Sequence, residues 1–164
     1  MRDMAEPLDE SLRPSPEVAD RLRAAGWTDA RVDVSRWIDR LRQDGYSVSR
    51  AAEAILRSYG GLRLLRRSLG GLSYDDLDLN PEYWFDERDH VARIESILSS
   101  SLCPLGETSG AAMLGVLDDG RVISEFEGYI DLLGDDWRQA LDHLVLGRGN
   151  TTVLARDYES VDQR

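Results

Sequence analysis

Between Val18 and Tyr59 the apolar residues recur every three or four positions, which is the spacing of one helix face and not of a strand. Ser15-Pro16-Glu17 opens the first such run with a hydroxyl cap, a proline at the first helical position and an acid in the first turn. Val18, Leu22 and Ala25 share its face, and Gly26 ends it. After Asp33, Val34, Trp37, Ile38 and Leu41 form a second stripe, closed by Gly45. Ser47 or Ser49 caps a third helix, whose face is Val48, Ala52, Ile55, Leu56 and Tyr59, and Gly60-Gly61 stops it. Trp37 and Tyr59 lie on these stripes, so both read as core.

From Leu62 the period changes. "LRLLRRSL" and "LSYDDLDL" are short and bracketed by Gly-Gly and Asn-Pro, and both read as strands, the second with Leu77 and Leu79 facing one way. "DERDHVARIESILSS" returns to helix with Val91, Ile94 and Leu98 inward. Cys103-Pro104 reads as that helix's exit. "AAMLGVL" and "RVISEF" then make a hairpin around Asp118-Asp119-Gly120. Gly134-Asp135 announces a last helix with Trp137, Ala140, Leu141 and Leu144 buried. The expected class is α+β: N-terminal helices packed on a small mixed, largely antiparallel sheet, with a C-terminal helix. Residues 1–14 read as a flexible tail, 15–148 as one domain and 149–164 as a polar tail.

Composition agrees with one folded domain. The 164 residues are 41% apolar and 31% charged, enough for a sizeable core beneath a well-solvated surface. The sequence has no run of about 18 apolar residues, so no membrane span is expected. "MRDMAEPLDESLRPSP" lacks an apolar secretion core, and a single cysteine suits a reducing compartment, so the expected location is the cytoplasm. All 20 basic residues are Arg, the mark of a GC-rich bacterial coding bias. Charge is uneven: residues 1–70 hold 13 Arg against 11 acids, while residues 71–164 hold 7 Arg against 20 acids, a net of −13. Such a surface repels nucleic acid and anionic membranes and attracts basic partners.

Chemistry is sparse. Asp76, Asp78, Asn80, Glu82 and Glu87 match the ligand spacing of a calcium hand, but Pro81 occupies the position that needs glycine, and a strand precedes the loop. His90 sits four residues after Asp86 and pairs with it if both are on one helix, and His143 stands beside Asp142; neither has a third ligand at metal spacing. Cys103, in "SLCPL", lacks the positive setting that activates a thiol. No phosphate loop, dinucleotide fingerprint or nucleophile elbow occurs. Arg63, Arg66 and Arg67 form the one basic cluster, too small for nucleic-acid binding. The residues therefore indicate no metal, no cofactor and no catalytic group, and a binding module over an enzyme.

"LRAAGW" at 22–27 and "VDVSRWIDRLRQDGYSVSRAAEAILRSYGGL" at 32–62 resemble the opening of the SUKH superfamily, most of all its third subfamily. "PLGE" at 104–107, "DDGRV" at 118–122 and "LLGDDWRQALDHLVLGR" at 132–148 follow in the family's order. The resemblance implies an α+β fold on one mixed sheet and a bacterial immunity protein. Such a protein neutralises a cognate toxin, often a nuclease, of a polymorphic or contact-dependent toxin system, and has no catalytic residues. The alternative is a non-catalytic intracellular interaction module of the same fold. A nuclease presents a basic cleft, so the expected partner is basic and the expected contact acidic. Asp75, Asp76, Asp78 and Glu82 cluster between elements and are the candidate partner-binding acids, with Tyr83 and Trp84, and Tyr74 beside them, as aromatic anchors.

Overall fold

The computed structural model describes residues 8–66 and 72–156. Arg67, the end of "LRLLRRSL" and the outer parts of both expected tails lie outside the described residues. Helices α1 (Pro16–Ala24), α2 (Ser35–Gln43) and α3 (Arg50–Tyr59) come first. Strands β1 (Arg63–Leu64) and β2 (Leu77–Asp78) follow, then a 3-10 turn at Pro81–Trp84 and α4 (Arg88–Leu98). The remainder is β3 (Leu102–Thr108), β4 (Ala112–Leu117), β5 (Val122–Phe126), β6 (Tyr129–Gly134), α5 (Trp137–Leu146) and β7 (Thr152–Ala155). The class is α+β, as the sequence indicates. Among the described residues the sheet runs β1 to β7 in chain order, and all its pairings are antiparallel. It is therefore a seven-stranded meander, and the parallel pairing that a mixed sheet requires does not occur in it.

Local chemistry explains the helix ends. Ser49 caps α3 by accepting the Ala52 N–H at 3.1 Å, and Asp136 caps α5 by accepting the Gln139 N–H at 2.8 Å. Ser15 does not cap α1: its hydroxyl donates to Asp142 at 2.8 Å and ties α1 to α5. Tyr59 is the hub of the helical layer. Its ring stacks on Trp27 at 5.4 Å and meets Trp137 of α5 at 5.5 Å, and its hydroxyl donates to the Leu12 carbonyl. Burial pushes the Tyr59 phenol well above its ordinary pKa, so it stays a donor. Leu12 is buried in this core, so residues 8–12, read from sequence as part of a loose tail, pack on the domain.

Two further segments differ from the sequence reading. Cys103-Pro104 is not a helix exit but the start of β3, because α4 ends earlier, at a left-handed Ser99. Pro104 fits a strand here because the β3–β4 register shifts between Pro104 and Gly106, a bulge where the missing N–H costs little. The segment after Gly149, read as a polar tail, supplies β7, which pairs with β6 from Thr152 to Ala155. Among the described residues, no helix is long and apolar enough to cross a membrane.

The middle of the sheet is buried on both faces. All six β4 positions are buried, and in β3 only Glu107 is partly open. Gly106 lets β2 approach β3 closely: a Cβ there would lie 2.0 Å from the Asp78 carbonyl oxygen. Gly106→Ala is therefore expected to destabilise the fold by about 2–4 kcal/mol, the size of a backbone clash that cannot relax, measured by urea denaturation. The Cys103 thiol, 1% exposed and pushed up to about 12 by burial, is expected to resist a thiol reagent at pH 8 until the chain unfolds. Rapid labelling of the native protein would contradict that placement.

Candidate partner-binding surface

β2 and the Pro81–Trp84 turn position the expected binding acids at one margin of the sheet. Asp75 and Asp76 serve the chain before they serve any partner. Asp75 accepts the Ser109 hydroxyl and the Asp76 N–H, each at 2.7 Å, and its own N–H donates to the Leu144 carbonyl. Asp76 accepts the Arg66 N–H at 2.7 Å. Both side chains are half-buried. They hold the connection into β2 against α5 and the β3–β4 turn.

Glu82 and Tyr83 are exposed, while Asp78 is half-buried like Asp75 and Asp76. The Tyr83 hydroxyl donates to Asp78 at 2.9 Å, and Arg63 approaches the same carboxylate at 3.6 Å. That hydrogen bond and the Asp78 charge raise the Tyr83 phenol pKa. Asp78 also faces Glu107 across the β2–β3 ladder. Burial first, and the Asp78 charge second, raise the Glu107 carboxyl above the usual carboxylate range. Glu82 is exposed, accepts the Trp37 indole N–H at 2.9 Å and lines a groove of about 480 Å³ with Trp37, Arg40 and Phe85. Of the aromatic candidates, Tyr74 (54%) and Tyr83 (47%) are exposed. Trp84 is not: it is half-buried, donates its indole N–H to the Gly106 carbonyl at 2.9 Å and stacks on His90. The structure thus leaves Glu82 and Tyr83 exposed, with Asp78 half-buried between Tyr83 and Arg63, and gives Asp75, Asp76 and Trp84 hydrogen bonds that hold the margin in place.

His90 does not pair with Asp86. Asp86 takes Arg40 at 2.8 Å, while His90 Nε2 lies 3.0 Å from Glu125 in β5, across 35 residues of sequence. Glu125 is 3% exposed and also accepts the Gly128 N–H at 3.2 Å. A buried carboxylate needs such partners, and both hold the tip of the β5–β6 hairpin. His143 Nδ1 lies 3.2 Å from the Arg148 carbonyl, and its ring meets Tyr74 edge-on. Among the described residues, no group of three or more His, Cys, Asp or Glu is arranged to hold a metal ion.

Sequence reasoning missed that hairpin tip. Phe126 and Tyr129 oppose each other across it, 47% and 45% exposed, around a two-residue turn at Glu127 and Gly128. Both turn residues have positive φ, +46° and +85°, which is a type I′ hairpin geometry. "FEGY" carries the cue: a glycine at the second turn position between two aromatic strand residues. The exposed Glu127 at the first position masks it, since Asn, Asp or Gly is the usual choice there.

No curated protein and no solved structure matches the chain. The sequence profile of the SUKH-3 immunity protein matches residues 14–147, from just before α1 to the end of α5. With that match running through nearly every element of the fold, the chain belongs to the SUKH-3 immunity protein family.

Proposed function

We propose that this chain binds a cognate protein toxin and neutralises it by occupying the toxin's working surface, without chemistry of its own. The partner is basic, and a nuclease fits best, because a cleft built for phosphates is the natural complement of an acidic inhibitor. One observation carries this reading beyond the family: the charge is concentrated, with a net of −13 over residues 71–164 against +2 over residues 1–70. The acidic part covers the sheet from β2 onward together with α4 and α5. Its field acts before contact, raising the rate at which a basic partner arrives in a productive orientation.

The acids at the β2 margin belong to this reading as proposed contacts. Asp78, Glu82 and Tyr83 supply reachable groups, and Asp75, Asp76 and Trp84 keep them in place. The cytoplasm is the compartment in which a chain with one unactivated cysteine and a toxin attacking nucleic acid would meet.

Co-expression with candidate toxin domains taken from the genes adjoining this chain's own tests the function. Host growth is expected to be restored; continued killing with both proteins folded and present refutes it. Asp78→Arg together with Glu82→Arg is expected to slow association about tenfold at low ionic strength, with the difference shrinking in about 0.5 M salt as screening shortens the field. Equal association rates at low salt would remove these acids from the contact.

A further inference from the structure

The β5–β6 hairpin joins three features that the immunity role does not by itself require. The first is an exposed apolar strip. Phe126 and Tyr129 face each other across the tip, and Val153 of β7, 39% exposed, pairs with Asp131, two residues from Tyr129 on the same face. The strip thus crosses three strands at the margin opposite β1 and β2.

The second is a brace. Glu125 points to the other face, where its buried carboxylate binds His90 of α4 and the N–H of Gly128. The aromatics are therefore presented by a turn tied from beneath. Holding them in advance removes much of the ordering cost that binding otherwise carries. Glu127, a non-glycine at φ +46°, adds a left-handed residue of the kind that clusters at functional sites.

The third is charge. Residues 122–137 contain Glu125, Glu127, Asp131, Asp135 and Asp136 and no Arg. Glu127 is exposed at the tip, and Asp131 is half-buried beside the strip. At the end of β7 one Arg adjoins the strip, Arg156, next to the Ile130 partner Ala155, and the acidic balance still disfavours two common occupants of an apolar strip. A second copy of the chain would set acid against acid, and an anionic membrane would be repelled. A basic protein surface with an apolar recess satisfies both the aromatics and the acids.

We propose that the β5–β6 hairpin is the anchor of the toxin contact. Phe126 and Tyr129, with Val153 alongside, seat in an Arg- or Lys-lined cleft of the toxin, and Glu127 and Asp131 pair with the basic groups at its rim. The inference rests on the toxin-binding reading and specifies where binding strength resides. Asp78, Glu107 and Glu125 share one face of the sheet through consecutive ladder partners, so Phe126 and Tyr129 point to the opposite face. The β2 acids then act by steering arrival, and the hairpin acts by slowing departure.

The test uses the full chain and the candidate toxin domain from the adjoining genes, disabled by a substitution in its catalytic centre. Kd and dissociation rate are measured for the unaltered chain, Phe126→Ser/Tyr129→Ser, Phe126→Ser alone and Glu127→Arg, with circular dichroism confirming folding. The double substitution is expected to weaken binding on the order of thirtyfold through faster dissociation, the size of a hot-spot loss. Glu127→Arg changes a surface turn residue and keeps the test open if the double variant fails to fold; about tenfold weakening is expected from it. Folded variants that bind within threefold of the unaltered chain overturn the anchor and leave the function standing. No binding by the unaltered chain removes both. A dimer of the chain alone that dissociates on Phe126→Ser/Tyr129→Ser assigns the strip to self-association and overturns the proposal.

Discussion

Burial of β3 and β4 on both faces is the constraint from which the rest of the molecule follows. A strand covered on two sides has no polar face to give up, so its sequence is a nearly continuous apolar run. "AMLGVL" meets that demand completely, and "LCPLGET" departs from it only at Glu107. Side chains stacked on both faces leave little tolerance in the ladder. Gly106 and Gly115 occur where neighbours crowd: the Asp78 backbone in one case, the Leu102 side chain in the other. The Pro104–Gly106 bulge adds curvature at the same place, where the Trp84 indole comes down on the Gly106 carbonyl. Packing and polar satisfaction at this point are a single arrangement, and neither can change alone.

A sheet sealed at its centre can offer only its margins. One margin is β1–β2 with the Pro81–Trp84 turn, and the other is the β5–β6 tip with β7. Both are acidic, yet they use acid differently. At the first, four carboxylates crowd one stretch, and all four are bonded to the chain itself: Asp75 to Ser109, Asp76 to Arg66, Asp78 to Tyr83 and Glu82 to Trp37. Such groups contribute to the long-range field, but exchanging internal hydrogen bonds for external ones gains little. At the second margin the buried carboxylate of Glu125 is structural, and the exposed surface combines aromatic area with Glu127. Aromatic area, once desolvated, is what gives interfaces their strength, while charge at the rim gives speed and selectivity.

How much of this the sequence shows depends on where the stabilising partner lies. Helices α1 to α5 are legible because their determinants are local: caps such as Ser49, glycine stops and stripes at helical spacing. β3 is not legible, since a strand buried on both sides shows no alternation and Pro104 looks like a breaker until the bulge is seen. β7 is not legible either, because "TVLA" owes its strand to pairing with β6 some twenty residues earlier. The acids of residues 75–82 are conspicuous by number, but their internal partners are set by tertiary structure. His90 shows the same limit: the nearest acid in sequence, Asp86, is taken by Arg40, and the true partner is in β5.

The family assignment and the physical reading constrain each other. A protein that works by occupying a partner needs a surface that can vary without cost to the fold. Here the two margins differ in that freedom. Altering Asp75 or Asp76 removes the side-chain bonds to Ser109 in the β3–β4 turn and to the Arg66 N–H after β1, so that margin changes its charge by loosening its own support. At the hairpin the brace lies on the opposite face, in Glu125, His90 and the Gly128 N–H, apart from the exposed side chains of Phe126 and Glu127. On the proposed reading, separating the brace from the contact lets the contact be retuned by substitution at a few surface positions without cost to the fold. That division, more than the total of negative charge, favours the hairpin as the site where specificity resides.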